Sequence, residues 1–69
     1  MNIFSERLKD LRTEKGITQD KLAEETGLSQ AALANWENGK RSPSAAVVVI
    51  LAKYFEVTTD YLLGVSDDP

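Results

Sequence analysis

The chain contains no cysteine and no histidine. The first absence excludes disulfides and thiolate chemistry and fits a reducing cytoplasm. The second removes the commonest general base and the commonest metal ligand. There is no long apolar run: the longest, residues 45–52, falls far short of the roughly 20 residues needed to cross a bilayer. The N-terminus shows no signal-peptide pattern. Positive charge is also scarce, with 8 Lys and Arg against 11 Asp and Glu and a net charge of −3. That balance argues against indiscriminate attraction to a polyanion. No glycine-rich phosphate loop or paired-carboxylate cleft is visible, and 69 residues are too few to enclose a substrate pocket. We therefore expect no catalysis, cofactor, metal, membrane association or small-molecule ligand, and a cytoplasmic location. The length allows one domain, near the lower limit for a self-sufficient core.

What the chain does have is helical periodicity with well-placed punctuation. Five helices and no strand are expected. Residues 3–15 carry Phe4, Leu8 and Leu11 at helical spacing, with Gly16 as the stop. Thr18 caps a helix over 19–26. Ser29 caps one over 30–37, which Gly39 ends. Ser44 caps one over 45–55. Thr58 caps a short one over 59–63, closed by Gly64. Such agreement among local signals favours a well-specified fold. The expected fold class is all-α, a compact five-helix bundle over residues 1–64, with 65–69 a frayed tail or the start of a linker. The expected core is Phe4, Leu8, Leu11, Ile17, Leu22, Ala23, Leu28, Leu33, Trp36, Val48, Leu51, Ala52, Phe55, Val57, Tyr61 and Leu62.

The stretch from Gln19 to Trp36 is the most specific. Leu22 and Ala23 face inward on its first helix, Leu33 and Trp36 on its second. Ala23 is small because the second helix crosses close by. Gly27 can adopt the left-handed conformation that stops the first helix. Leu28 plugs the corner, and Ser29 caps the next helix. This is the layout of a helix-turn-helix, whose second helix can enter the major groove of DNA. Gln30, Ala31, Ala34, Asn35 and Asn38 are left facing outward. Between Leu28 and Ser44 the only acid is Glu37, against Lys40 and Arg41, so the candidate reading face is neutral to basic on an acidic body.

Three segments then carry a resemblance: RLKDLRTEKGITQDKLAEETGLS at 7–29, WENGKRSPS at 36–44, and LAKYFEV with DYLLG within 51–64. Their order and spacing resemble the Cro/C1-type, or XRE, helix-turn-helix family of phage repressors and bacterial regulators. The resemblance covers nearly the whole chain. It implies a lambda-repressor-like five-helix domain that binds pseudo-palindromic double-stranded DNA operators as a homodimer and controls transcription. It further implies that Gln19 contacts a phosphate, that Gln30, Ala31 and Asn35 occupy base-reading positions, and that Asn38, Lys40 and Arg41 hold the backbone. Arg12 and Glu37 match a structural ion pair.

Each residue has a plainer reading too. Gln30 and Asn35 on an isolated helix would be ordinary solvated amides; within this motif both are suited to a bidentate contact with adenine. Ala31 and Ala34 are good helix formers, or else methyl contacts for thymine. With few polar side chains on this helix, DNA shape should carry a substantial share of recognition. Lys40 and Arg41 are a solvated turn pair or phosphate ligands. Asn38 begins an Asn-Gly turn signal and could serve both roles. Trp36, three residues after Leu33, reads as core rather than a stacking platform. Asp20, Glu24 and Glu25 read as a solvated helix face, not a metal site.

The helix over 45–55 is apolar on more than its core side. Val47, Ile50 and Tyr54 are expected on an outer face with Ala46, which points to a homodimer interface, helped by Leu63 and Val65. Scattered surface apolar residues are the alternative. The leading functional expectation is a sequence-specific transcriptional regulator, most simply a repressor. The competing one is a protein-interaction module, such as an antitoxin or anti-regulator, that uses this apolar face.

Overall fold

The computed structural model describes residues 2–69; residue 1 of the expected 1–64 domain lies outside them. The elements are α1 (Ile3–Lys15), α2 (Gln19–Thr26), α3 (Gln30–Glu37), α4 (Ala45–Phe55) and α5 (Thr59–Leu63), with no strand among the described residues. These are the expected helices with the expected bounds.

Local chemistry accounts for the boundaries. Thr18, Ser29, Ser44 and Thr58 each accept a hydrogen bond from a backbone N–H in the first turn of the helix they precede. Asn2 does the same for α1. These caps satisfy N–H groups that lack an intrahelical partner. Left-handed glycines end α1, α2 and α5. α4 lacks a glycine, and Glu56 takes up the left-handed conformation there, with φ of 57°.

α1 packs against α3 and α5, α2 against α3 and α4, and α4 against α5. Phe4, Leu8, Leu22, Leu33, Trp36, Val48, Leu51, Ala52 and Leu62 are buried where these helices meet. Leu11, Ile17, Ala23, Leu28, Phe55 and Val57 line the same core but keep partial exposure. Tyr61, also expected inside, lies half-buried beneath the Arg7 guanidinium, 4.2 Å from its ring centroid. Ser5 is fully buried and donates to the carbonyl of Trp36, tying α1 to the end of α3. No helix among the described residues is long and apolar enough to cross a membrane.

One finding departs from expectation. Val47 and Tyr54 pack in part against the protein's own core instead of lying on an outer face. The reason is that α4 meets α2 as well as α5, which widens its covered arc. The Tyr54 ring meets Phe55 edge-on at 4.9 Å, and its hydroxyl donates to Glu25 on α2. That bond holds the phenol above its usual pKa. The large apolar side chains that α4 leaves outward are Val49 and Ile50, 42% and 39% exposed, beside the exposed Ala46.

The first residues of the tail, expected to fray or to begin a linker, are tied back to α1. Arg7 donates to the carbonyls of Tyr61 and Ser66 and pairs with Asp67 at 2.8 Å.

Candidate nucleic-acid interface

The corner between α2 and α3 is built from backbone hydrogen bonds. Gly27, with φ of 76°, donates its N–H to the Ala23 carbonyl at 2.9 Å. Leu28 then turns its side chain toward the core, and its N–H reaches the Thr26 hydroxyl at 3.3 Å. Ser29 Oγ accepts from Ala32 N–H at 3.2 Å and starts α3. Leu33 and Trp36 anchor α3 from beneath, fixing which residues face out.

Gln30 and Ala31 are exposed at the N-terminal end of α3, while Ala34 and Asn35 are half-buried further along the helix. Asn38, Lys40 and Arg41 are exposed in the loop that follows. This loop is held by its own backbone: Lys40 N–H bonds the Asn35 carbonyl at 2.9 Å and Gly39 N–H bonds that of Trp36 at 3.2 Å. Among the described residues neither Lys40 nor Arg41 takes part in an ion pair, so both charges face solvent. An exposed N-terminal end of α3 followed by two free cations suits a groove flanked by phosphates.

Arg12 and Glu37 form the ion pair that the resemblance implies. Arg12 Nε donates to Glu37 Oε2 at 2.7 Å and Nη2 to Oε1 at 3.1 Å. The Glu37 side chain is only 3% exposed. Its hydrogen bond, aided by its charge, raises the Arg12 pKa above the ordinary value against the opposing effect of burial. Arg12 also donates to the Ile17 carbonyl at 2.8 Å, so one side chain fastens α1 to α3 and to the loop before α2.

The same carboxylate continues outward. Gln19 Nε2 donates to Glu37 Oε1 at 3.1 Å, and Gln30 Nε2 donates to Gln19 Oε1 at 2.8 Å. A run of hydrogen bonds thus links the buried pair to the exposed end of α3. Gln19, read from sequence as a phosphate contact, has its carbonyl oxygen and one N–H engaged here, leaving one N–H for such a contact. The sequence reading brought Arg12 together with Glu37 but did not connect Gln19 and Gln30. They lie 11 residues apart on different helices, and only the corner geometry joins them.

Residues 8–62 match the family model described as helix-turn-helix, and the chain belongs to this family. Over 61 residues it is 43% identical to the HTH-type transcriptional activator BcrR of Enterococcus faecalis, covering 88% of this chain and 30% of that protein. It is 34% identical to the HTH-type transcriptional regulator YobD of Bacillus subtilis, covering 97% of this chain and 60% of that one. The chain therefore spans less than two-thirds of the length of either relative. Among solved structures, the P22 c2 repressor in complex with a synthetic operator superimposes with a TM-score of 0.83 at 28% identity, covering 91% of this chain and 96% of that one.

Proposed function

We propose, from the premise of membership in the helix-turn-helix family, that this chain is a sequence-specific double-stranded DNA-binding domain of a transcriptional regulator. The observation that carries the reading is the exposed, amide-bearing N-terminal end of α3, followed by the solvent-exposed Lys40 and Arg41. Gln30 and Asn35 read base edges, with Ala31 and Ala34 close enough to touch thymine methyls. Gln19, Asn38, Lys40 and Arg41 set the register through phosphates. Transcriptional regulators among the relatives and the operator-bound P22 c2 repressor support this assignment.

The domain acts as a homodimer on a pseudo-palindromic operator. A two-fold pair would place two copies of α3 in successive major grooves, about 34 Å apart. Ile50 and Val49 on α4, with Leu63 on α5, form the self-association surface; Val49 and Leu63 line one groove with Pro43 and Ala45. Repression follows from occupying a promoter.

Selection of bound duplexes from a random pool, beside the Gln30→Ala/Asn35→Ala variant, tests this. An inverted repeat with half-site centres about 10 bp apart, lost or altered in the variant, is the expected result. Folded protein that enriches nothing at low salt sinks the proposal.

A further inference from the structure

We propose that Asn38 is a site of spontaneous chemical modification: its side-chain amide is lost to attack by the Gly39 backbone nitrogen, and the carboxylate left behind weakens the hold of the loop after α3 on DNA. The effect on DNA rests on the reading of this loop as a phosphate contact. The chain has three asparagines, Asn2, Asn35 and Asn38. The nitrogen that can attack each one belongs to the next residue. For Asn2 and Asn35 that residue is Ile3 or Trp36, whose side chain crowds the approach. Asn2 is further tied down by accepting the Ser5 N–H at 2.8 Å, and Asn35 sits half-buried within α3. Asn38 alone is exposed, outside a helix and followed by glycine, which has no Cβ to shield its nitrogen.

The reaction balances with water as its only co-reactant. The Gly39 nitrogen gives up its proton to solvent and bonds to Asn38 Cγ. The Cγ–Nδ2 bond breaks, and Nδ2 takes up a proton and leaves as ammonia. Water then opens the five-membered imide at either carbonyl. One opening gives an aspartate in the ordinary chain. The other routes the chain through the side-chain carbon, giving isoaspartate with one extra backbone atom. Both products carry a new negative charge. The fold brakes the first step. Asn38 has φ of −86° and ψ of −4°, and the Gly39 N–H is engaged by the Trp36 carbonyl at 3.2 Å. Ring closure has to release that bond, so it proceeds through an opened loop. The new carboxylate lies just before Lys40 and Arg41 in the same exposed loop, offsets their charge and repels the phosphates they meet.

The test ages the folded protein in warm, mildly alkaline buffer. Peptide mass spectrometry follows the chemistry, and affinity for a random-sequence DNA duplex at low salt follows the consequence. The peptide spanning Asn38 should exchange its amide for a carboxylate, while those holding Asn2 and Asn35 do not. Affinity of the converted fraction should fall about ten-fold, the scale of one hydrogen bond to a charged group. Fresh Asn38→Asp should show the same loss and a shallower salt dependence, because its charge offsets one cation of the loop. Asn38→Gln can close only a six-membered ring, which forms far more slowly. Its affinity, whatever the starting value, should hold constant through ageing. An Asn38 amide that survives ageing in the folded protein while the urea-unfolded chain converts overturns the proposal, since the loop then never opens far enough. Converted protein that binds the duplex as tightly as fresh protein overturns the effect on DNA. Fresh protein that binds no duplex overturns the DNA-binding reading instead, and the mass spectrum alone then decides whether Asn38 converts.

Discussion

A carboxylate that has lost nearly all its water must find partners inside the fold. Glu37 finds them in Arg12 and Gln19, while Arg12 also donates to the Ile17 carbonyl. Breaking one side of such a pair is costly because the other charge is stranded. Arg12→Ala should therefore lose about 3–5 kcal/mol of unfolding free energy. That is a large share of what so small a domain possesses. Urea denaturation followed by Trp36 fluorescence measures it. A loss under about 1 kcal/mol, the range of surface ion pairs, would show that water reaches Glu37. The pair itself was legible through the resemblance, at Arg12 and Glu37. Arg7 was not, because the groups it binds lie 54 to 60 residues away.

At the scale of elements, the helix ends were the most legible part of the chain, since caps and stops act within three or four residues. Ser29 at the head of α3 and Gly27 before it need no tertiary information to be recognised. Two ends respond in opposite directions to substitution. Glu56 holds a left-handed conformation that costs an L-residue about 1–2 kcal/mol. Glu56→Gly removes that strain but adds freedom to the unfolded chain, so the expected net gain is about 0.5–1 kcal/mol. Gly64, with φ of 80°, is different: a Cβ there would come within 2.7 Å of Ile3 Cγ2. Gly64→Ala should cost more than about 1–2 kcal/mol, combining left-handed strain with a clash against α1. Thermal unfolding of the two variants should shift the midpoint up and down respectively. Equal shifts of one sign would refute this account of the two stops.

For the whole molecule the open surface matters more than the core. Periodicity identified α4 as apolar on more than one side, but not which residues the rest of the chain would cover. Packing against the core took Val47 and Tyr54 and left Ile50 outward beside Val49, which lines a groove with Leu63, itself 50% exposed. Ile50→Glu should remain folded yet weaken self-association by about a hundred-fold, as a charge placed in an apolar contact stays unpaired. Sedimentation across a concentration series reads this directly, and operator affinity should fall with it. A variant that sediments as the wild type does would move the interface off this face. Gln30 follows the same logic. Its position on α3 could be read from the motif, but its tether to Gln19 depends on how α2 crosses α3.

By itself the sequence determined the five helices, their ends, the corner between α2 and α3, and the family. All of these rest on interactions between near neighbours or on the 3.6-residue period. Tertiary structure alone decided the outward face of α4, the docking of the tail by Arg7 and the hydrogen-bonded run from Glu37 to Gln30. Each joins groups from separate elements, and which groups meet is set by helix crossing and the sharing of core space, which no local pattern encodes.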